Sequence, residues 1–171
     1  LTKKYADTDK PHVRMTERCI APELLSFVHV TTSSHNHTDH LDAETLCPIL
    51  KENPNVKLVI PEANRTFVAE RLEISAEQPV GFLAGETKSV AGFSITAVPA
   101  AHNHLSPEFL GYVFRVGGRT IYHSGDTLMY DGMVQRLRAF NIDLALLPIN
   151  GDRPERALRM RPAVSGSSLA K

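Results

Sequence analysis

The chain has 171 residues, 42% of them hydrophobic and 22% charged, which is typical of one globular domain with a substantial core. Nineteen basic residues balance nineteen acidic ones, so no global charge favours nucleic acid or an anionic membrane, and no apolar run is long enough to predict a transmembrane helix. Two cysteines are too few for a disulfide framework, so we expect free thiols and a cytoplasmic protein.

The first elements in chain order lead up to a dense polar motif. Residues 1–18 are polar and without periodicity, which predicts a loop that includes a solvated His12. Pro22 can open a short helical turn. Residues 26–32 are apolar and β-branched, which predicts a buried strand with His29 packed inside it.

Three histidines and two aspartates follow this strand within eight residues: His35, His37, Asp39, His40 and Asp42. Imidazole and carboxylate are the ligand types that suit zinc and similar divalent ions. In an extended or turning loop, His35 and His37 project the same way and can reach one ion, while Asp39 and His40 can reach a second. A solvated polar loop is the alternative, but this density of ligands favours a metal site.

A helix is predicted directly after the motif. Asp42 can cap it, and residues 43–53 carry apolar side chains at helical spacing, with Leu46, Ile49 and Leu50 facing the core. Pro48 either kinks this helix or marks its true first turn.

The next two elements predict a layered α/β arrangement. Residues 56–60 predict a second strand, and residues 61–72 predict another helix whose inward positions are Phe67, Val68 and Leu72. This alternation of helix and strand indicates helices that cover one face of a sheet.

The middle of the chain becomes richer in strands. Residues 80–83 and 89–98 alternate well enough to predict strands around a glycine-containing turn, and the second of them runs into His102 and His104. A histidine on a loop at the end of a strand occupies a position suited to a ligand, which favours His102. His104 lies one alternation further and is either a substrate contact or solvated.

Residues 109–116 and 119–123 predict a β-hairpin, because a Gly-Gly pair separates two strand-like runs. The second strand ends in Tyr-His-Ser-Gly-Asp at residues 122–126. Gly125 allows a sharp turn that presents Asp126 at the sheet edge. His123 either hydrogen-bonds a neighbour of the metal or packs in the core.

The final elements give way to an irregular tail. Residues 130–140 predict an amphipathic helix, and residues 142–148 predict a last buried strand followed by a loop at 150–152. From Arg153 onward no apolar face recurs, and residues 152–171 carry five basic groups against two acidic ones. We therefore predict a domain over residues 1–151 and an irregular basic tail over residues 152–171.

The motif His-x-His-x-Asp-His at residues 35–40 resembles the signature of the metallo-β-lactamase superfamily of metal-dependent hydrolases. The Tyr-His-Ser-Gly-Asp run is most similar to the branch that contains ascorbate-6-phosphate lactonase, and the resemblance covers about residues 15–151. It implies an α/β (α+β) chain folded as an αββα sandwich. It also implies that His35, His37 and His102 hold one divalent ion and that Asp39 and His40 hold a second, with Asp126 bridging.

The resemblance further implies hydrolysis by a metal-bound hydroxide. The substrate would be an ester, lactone or phosphoester of a small metabolite, and two ions would share the hydroxide. Zinc is favoured, with manganese or iron as alternatives. Asp39 would also move a proton to the leaving group, and Asp42 would orient a ligand histidine.

The chain departs from the family pattern at its ends. The family continues with further elements and one more metal-binding histidine, but no histidine follows His123, and the chain begins with Leu1. We therefore expect a fold truncated at both ends and weaker occupancy of the second metal site. Two alternatives stay open: a phosphodiesterase or phospholipase D-type hydrolase, and a non-catalytic metal-binding fragment. The expected partner is a small-molecule substrate, without nucleic acid or membrane, and a homo-oligomer is left open.

Overall fold

The computed structural model describes residues 5–9, 11 and 16–148. The predicted tail at 152–171, the loop at 150–152 and His12 lie outside the described residues, as does the predicted domain boundary at residue 151.

The first half of the chain builds a parallel sheet with two helices. A short 3-10 helix at Pro22–Leu24 precedes β1 (Val30–Thr32), α1 (Ala43–Glu52), β2 (Lys57–Pro61), a second 3-10 helix (Glu62–Asn64), α2 (Arg65–Leu72) and β3 (Val80–Phe82). Both β1 and β3 pair with β2 in parallel. The predicted alternation of helix and strand is therefore confirmed.

The second half builds a larger, mainly antiparallel sheet. Its elements are β4 (Thr87–Val90), β5 (Phe93–Ala101), β6 (Leu105–Val116), β7 (Arg119–His123), α3 (Met133–Arg138) and β8 (Leu144–Leu146). The five strands are ordered β4-β5-β6-β7-β8, and β7 and β8 are the one parallel pair among them. The predicted hairpin is confirmed, since Gly117 and Gly118 turn between β6 and β7 at positive φ angles of 56° and 75°.

Three apolar clusters show how the layers stack. One cluster joins the inner faces of the two sheets and includes Phe82 and Tyr112. A second packs α1 and α2 against β2 through Leu46 and Val68, and a third packs α3 on the outer face of the larger sheet through Met133. Helices thus lie outside two stacked sheets, which is the predicted αββα sandwich.

The predicted buried strand at residues 26–32 is shorter and more open than expected. Only Val30–Thr32 form a strand, and Phe27 is 67% exposed, while His29 is also exposed rather than packed. The side-chain amide of Asn53 donates to the carbonyls of Ser26 and Val28. The Asn53 side chain therefore hydrogen-bonds backbone carbonyls that a longer strand would have paired with a neighbouring strand.

The helices differ from the prediction at Phe67, and the position of Pro48 decides between two alternatives. Pro48 lies inside α1, which excludes the alternative that it marks the first turn. Phe67 is 38% exposed, with the Arg71 guanidinium 4.4 Å from its ring centroid, whereas Val68 and Leu72 are buried. Val68 and Leu72 are four residues apart and share a helix face, and Phe67 falls outside it.

The end of the described chain differs from the prediction in burial. The strand predicted at residues 142–148 is β8, the edge strand of the larger sheet. Its Leu144 and Leu146 share one face and are 51% and 49% exposed, so the described residues leave that face largely uncovered. α3 is shorter than predicted and begins after Gly132, whose φ of 83° is not helical. None of the described helices is long and apolar enough to cross a membrane.

Candidate metal centre

The histidine motif forms the connection between β1 and α1. The backbone N–H of Ser33 donates to Val59 of β2 at 2.9 Å, which extends the sheet pairing up to the motif. The chain then turns, because the N–H groups of His40 and Leu41 both donate to the carbonyl of His37. Arg71 of α2 holds the outside of the turn by donating to the carbonyl of Asn36 at 2.6 Å. The motif is thus anchored to the smaller sheet and its helix.

The larger sheet anchors the same loop from the other side. The N–H of Leu110 in β6 donates to the carbonyl of Ser34 at 3.0 Å. The hydroxyl of Tyr112, also in β6, donates to the carbonyl of Ser33 at 3.1 Å and is fully buried. The start of the motif therefore sits between the two sheets, where its position is fixed by both.

His102 and Asp126 reach the motif from loops of the larger sheet. His102 follows directly on β5, and Asp126 lies three residues beyond the end of β7. The N–H of Ala101 donates to the Thr127 hydroxyl at 2.9 Å, which ties the two loops together. Gly125 has a φ of +58°, and a Cβ on it would lie 2.7 Å from the Cβ of Ser34. Glycine thus permits both the turn and the close approach to the motif.

Two overlapping sets of donor atoms result within the described residues. In each set, the candidate ligand atoms lie within 4.8 Å of one another; the sets are His35, His37 and His102, and His35, His40 and Asp126. Asp126 Oδ2 lies 3.1 Å from His40 Nε2 and 3.8 Å from His102 Nε2, between the two sets. The fold therefore brings together residues that are up to 91 positions apart in the sequence (126 − 35).

His35 shows that these residues fit a bound cation. Its side chain is 2% exposed, and its Nε2 has no hydrogen-bond partner among the described residues. Burial, followed by the nearby imidazoles of His40 and His37, lowers the pKa of His35 from 6.5 to about 3. A buried neutral ring without a partner at Nε2 is suited to donate a lone pair to a metal ion.

His40 Nε2 lies 3.1 Å from the Asp126 carboxylate beside His35. Burial opposes the charged form of His40, but the hydrogen bond and charge of Asp126, with the charge of Asp39, raise its pKa above the usual value. The hydrogen bond from His40 correspondingly lowers the pKa of Asp126. Burial is the main cause that lowers the pKa of His102. Asp126 is therefore ionised at neutral pH and offers a negative oxygen to the site.

The remaining predicted residues lie around these sets. Asp39 falls in neither set; its Oδ2 is 3.7 Å from His40 Nε2 and its side chain is 55% exposed. Asp42 occupies the N-cap position of α1 without a side-chain cap bond, and its carboxylate accepts a hydrogen bond from the Thr45 hydroxyl at 2.6 Å. Its predicted role in orienting a histidine stays a prediction.

His104 and His123 differ in their surroundings. His104 is exposed, and its ring stands edge-on to Phe109 with 6.1 Å between centroids. His123 ends β7, and its Nδ1 accepts a hydrogen bond from the Gly125 N–H at 3.2 Å. Burial and then the charge of His40 lower the pKa of His123. His123 therefore supports the turn that carries Asp126.

Sequence reasoning missed Phe109 and Ser34. The Phe109 ring stacks on His102, with 5.4 Å between centroids, and meets His35 edge-on at 5.6 Å. Ser34 lies within 3.0 Å of the Nδ1 atoms of both His35 and His40. The sequence does not indicate a role for Phe109 at the site, because a phenylalanine in a predicted strand is typical of any buried strand. Ser34 directly precedes the motif, and its adjacency to His35 was the one available signal.

The chain is similar in sequence to known metal-dependent hydrolases. A family model described as a beta-lactamase superfamily domain matches residues 11–167. A UPF0173 metal-dependent hydrolase of Saccharolobus solfataricus is 32% identical over 118 residues, which are 69% of this chain and 51% of that protein. Another, from Metallosphaera sedula, is 31% identical over 127 residues, which are 74% of this chain and 55% of that protein. The chain thus spans about half the length of these curated relatives.

Solved structures show the same fold. A novel metallo hydrolase from Ignicoccus hospitalis matches 72% of this chain and 53% of its own with a TM-score of 0.57 and 23% identity. An isothiocyanate hydrolase from Delia radicum gut bacteria matches 83% of this chain and 57% of its own with a TM-score of 0.60 and 23% identity. At this level of identity the likeness concerns the fold alone.

Proposed function

Because the chain belongs to the metallo-β-lactamase superfamily, we propose that it acts as a metal-dependent hydrolase on an ester, lactone or phosphoester of a small metabolite. The observation that carries the proposal is the meeting of two sets of donor atoms at His35, whose buried Nε2 has no partner among the described residues. Such an arrangement is suited to hold cations where a substrate oxygen would gain negative charge.

We assign the residues to two divalent ions as follows. The Nε2 lone pair of His35 can bind only one ion, and we place it with the imidazoles of His37 and His102, which together would hold the first. The second then needs another donor beside His40 and Asp126, and the carboxylate of Asp39, 3.7 Å from His40, is placed to provide it. Ions of this kind supply Lewis acidity, which lowers the pKa of water to about 7 and polarises an oxygen of the substrate. The many imidazoles of the site favour zinc, and the carboxylates of Asp39 and Asp126 would also accept manganese or iron.

The chain's own residues orient the reactants and move protons. The side chain of Asp39 is 55% exposed, so it can meet both solvent and substrate and carry a proton to the leaving group. Phe109 packs on His102 and His35, so its apolar ring shields the faces and edges of these imidazoles that it contacts from water. His104 stands exposed at the rim and can donate a hydrogen bond to a substrate oxygen, including one of a phosphate.

Metal stoichiometry tests this assignment. Equilibrium dialysis of the purified chain against known zinc concentrations, measured by elemental analysis, should give about two ions per chain at saturation, with the second site filled at higher zinc than the first. His37→Ala should reduce the content by one ion, and the chain should still fold because His37 is exposed. His29→Ala is the matched control: it removes an exposed imidazole located before β1, outside both donor sets, and should leave two ions bound. One ion or none in the unaltered chain would contradict the assignment.

A hydrolysis screen then tests the substrate class. The zinc-loaded chain is assayed against lactones, carboxylate esters, phosphomonoesters and phosphodiesters, with His37→Ala as the inactive reference. We expect turnover of lactones, esters or phosphomonoesters, and Asp39→Asn should lower this turnover even at zinc concentrations that fill both sites. Hydrolysis confined to phosphodiesters would favour a phosphodiesterase instead. Two bound ions without any turnover would indicate a metal-binding protein that does not catalyse hydrolysis.

A further inference from the structure

One buried hydroxyl lies between two of the candidate ligand rings. Ser34 Oγ is 3.0 Å from His35 Nδ1 and 3.0 Å from His40 Nδ1. Ser34 is 4% exposed, so bulk water does not compete for these contacts. The hydroxyl therefore decides which proton arrangement the two nitrogens can adopt.

Counting protons leaves one arrangement compatible with a metal at both rings. A neutral imidazole carries its proton on one nitrogen and a lone pair on the other, so a ring that ligates through Nε2 is protonated at Nδ1. Both His35 and His40 then need an acceptor for Nδ1–H. A serine oxygen has two lone pairs and can accept both hydrogen bonds at once. If the hydroxyl instead donated to one Nδ1, that neutral ring would carry its proton on Nε2, the atom required for the metal.

We propose that Ser34 is a positioning residue that fixes both tautomers by accepting a hydrogen bond from the Nδ1–H of His35 and from that of His40, so that each Nε2 faces the metal site. This inference rests on the proposed metal centre. The unpartnered Nε2 of His35 supports it, because a proton there would be a buried donor with no acceptor among the described residues.

The surrounding backbone holds Ser34 in the required place. Its carbonyl accepts the Leu110 N–H, and the neighbouring Ser33 is held by Tyr112 and by its own hydroxyl, which donates to the carbonyl of His35 at 2.7 Å. Gly125 packs so closely that an added Cβ would lie 2.9 Å from Ser34 Oγ. The hydroxyl is thus fixed by several contacts that involve no metal, as a preformed acceptor should be.

Zinc affinity provides the first test. Ser34→Ala removes the shared acceptor and should weaken zinc binding about 10–100-fold, as loss of a partner behind a ligand histidine usually does. Ser33→Ala is the matched control, because it removes an adjacent buried hydroxyl that bonds to a carbonyl and to no imidazole. It should leave zinc affinity within about threefold, well below the range expected for Ser34. Competition against a chromophoric chelator measures both, and thermal unfolding checks that both variants fold.

Nitrogen-15 NMR of the histidine rings provides the second test and does not depend on activity. In the metal-free chain His35 should carry its proton on Nδ1, and in the zinc-loaded chain both His35 and His40 should do so. Ser34→Ala should convert His35 to a mixture of tautomers, while Ser33→Ala should not. A proton on His35 Nε2 in the unaltered chain, or unchanged zinc affinity in Ser34→Ala, would overturn the inference. If the chain bound no zinc, the metal centre would fail, and the His35 tautomer would still test the role of Ser34.

Discussion

The two fully buried tyrosines of the larger sheet should respond in opposite ways to the same substitution. Tyr112 and Tyr122 lie on the adjacent strands β6 and β7, and both are 0% exposed. The Tyr112 hydroxyl donates to the carbonyl of Ser33, whereas the Tyr122 hydroxyl has no hydrogen-bond partner among the described residues. Replacing each with phenylalanine removes one oxygen and keeps the ring, so the hydrogen bond is the main difference.

The expected change in the free energy of unfolding depends on whether removing the hydroxyl leaves a buried polar group without a partner. Tyr112→Phe leaves the carbonyl of a residue that is only 1% exposed without its donor, which costs about 1–3 kcal/mol of the free energy of unfolding. Tyr122→Phe removes a polar atom buried without a partner, so it should be neutral or stabilising by about 1 kcal/mol. For a chain of this length, 1 kcal/mol corresponds to roughly 2–4 °C in Tm.

Urea and thermal unfolding of the metal-free chain measure both effects, with equal m values confirming that only stability changed. Zinc titration adds a functional readout, because Tyr112 anchors Ser33 next to the motif and Tyr122 packs on α3 at the opposite face. Tyr112→Phe should therefore weaken zinc binding as well, and Tyr122→Phe should not. Equal destabilisation by the two substitutions would refute the reasoning, since it would mean that the hydrogen bond to Ser33 contributes nothing.

Three further substitutions test other parts of the structure. Gly125→Ala should cost about 1–2 kcal/mol for its left-handed conformation and should also weaken zinc binding, because its Cβ would lie 2.7 Å from that of Ser34; an unchanged Tm would contradict this. His35 has a folded pKa of about 3, below its ordinary 6.5, so the unfolded chain binds more protons in this window and the metal-free protein should lose stability as pH falls from 6.5 towards 3. His35→Asn should flatten that dependence in urea unfolding, and an equally steep one would point to other groups. Ala91→Asn should stabilise the β4–β5 hairpin by about 0.5–1 kcal/mol, because Ala91 has a φ of 46° beside Gly92, and a lower Tm would argue against that turn.

The sequence predicted those elements whose burial is decided by their own periodicity. α1 was predicted almost to its last residue, since Leu46 and Ile49 are spaced for one helix face, and both are buried. Phe27 and β8 failed for a different reason. Whether an apolar strand is covered depends on which element lies next to it, and Phe27 precedes the paired segment while β8 is a sheet edge. Composition alone carries no information about such neighbours.

The candidate site was predictable to the extent that its chemistry is carried by residue type. Histidines and aspartates in a tight motif indicate a metal whatever the fold, and the structure gathers His102 and Asp126 beside it. The position of Asp39 outside both donor sets was not predictable, because it depends on how the turn after His37 closes. Phe109 was missed because a strand phenylalanine looks the same whether it faces the core or a histidine ring.

The burial of the motif leads to a distinction among its residues. Ser34 and His35 are each at most 4% exposed, and the segment that carries them is bound to both sheets through the backbone of Ser33 and Ser34, so they belong to the packed interface as much as to the metal centre. His37 and Asp39 are exposed and contribute little to that packing. Substitutions in the first group should therefore lower both the stability of the metal-free chain and its zinc affinity. Substitutions in the second group should lower zinc affinity alone. Zinc should in turn raise Tm by mass action, and this gain should shrink in both groups because both bind it more weakly.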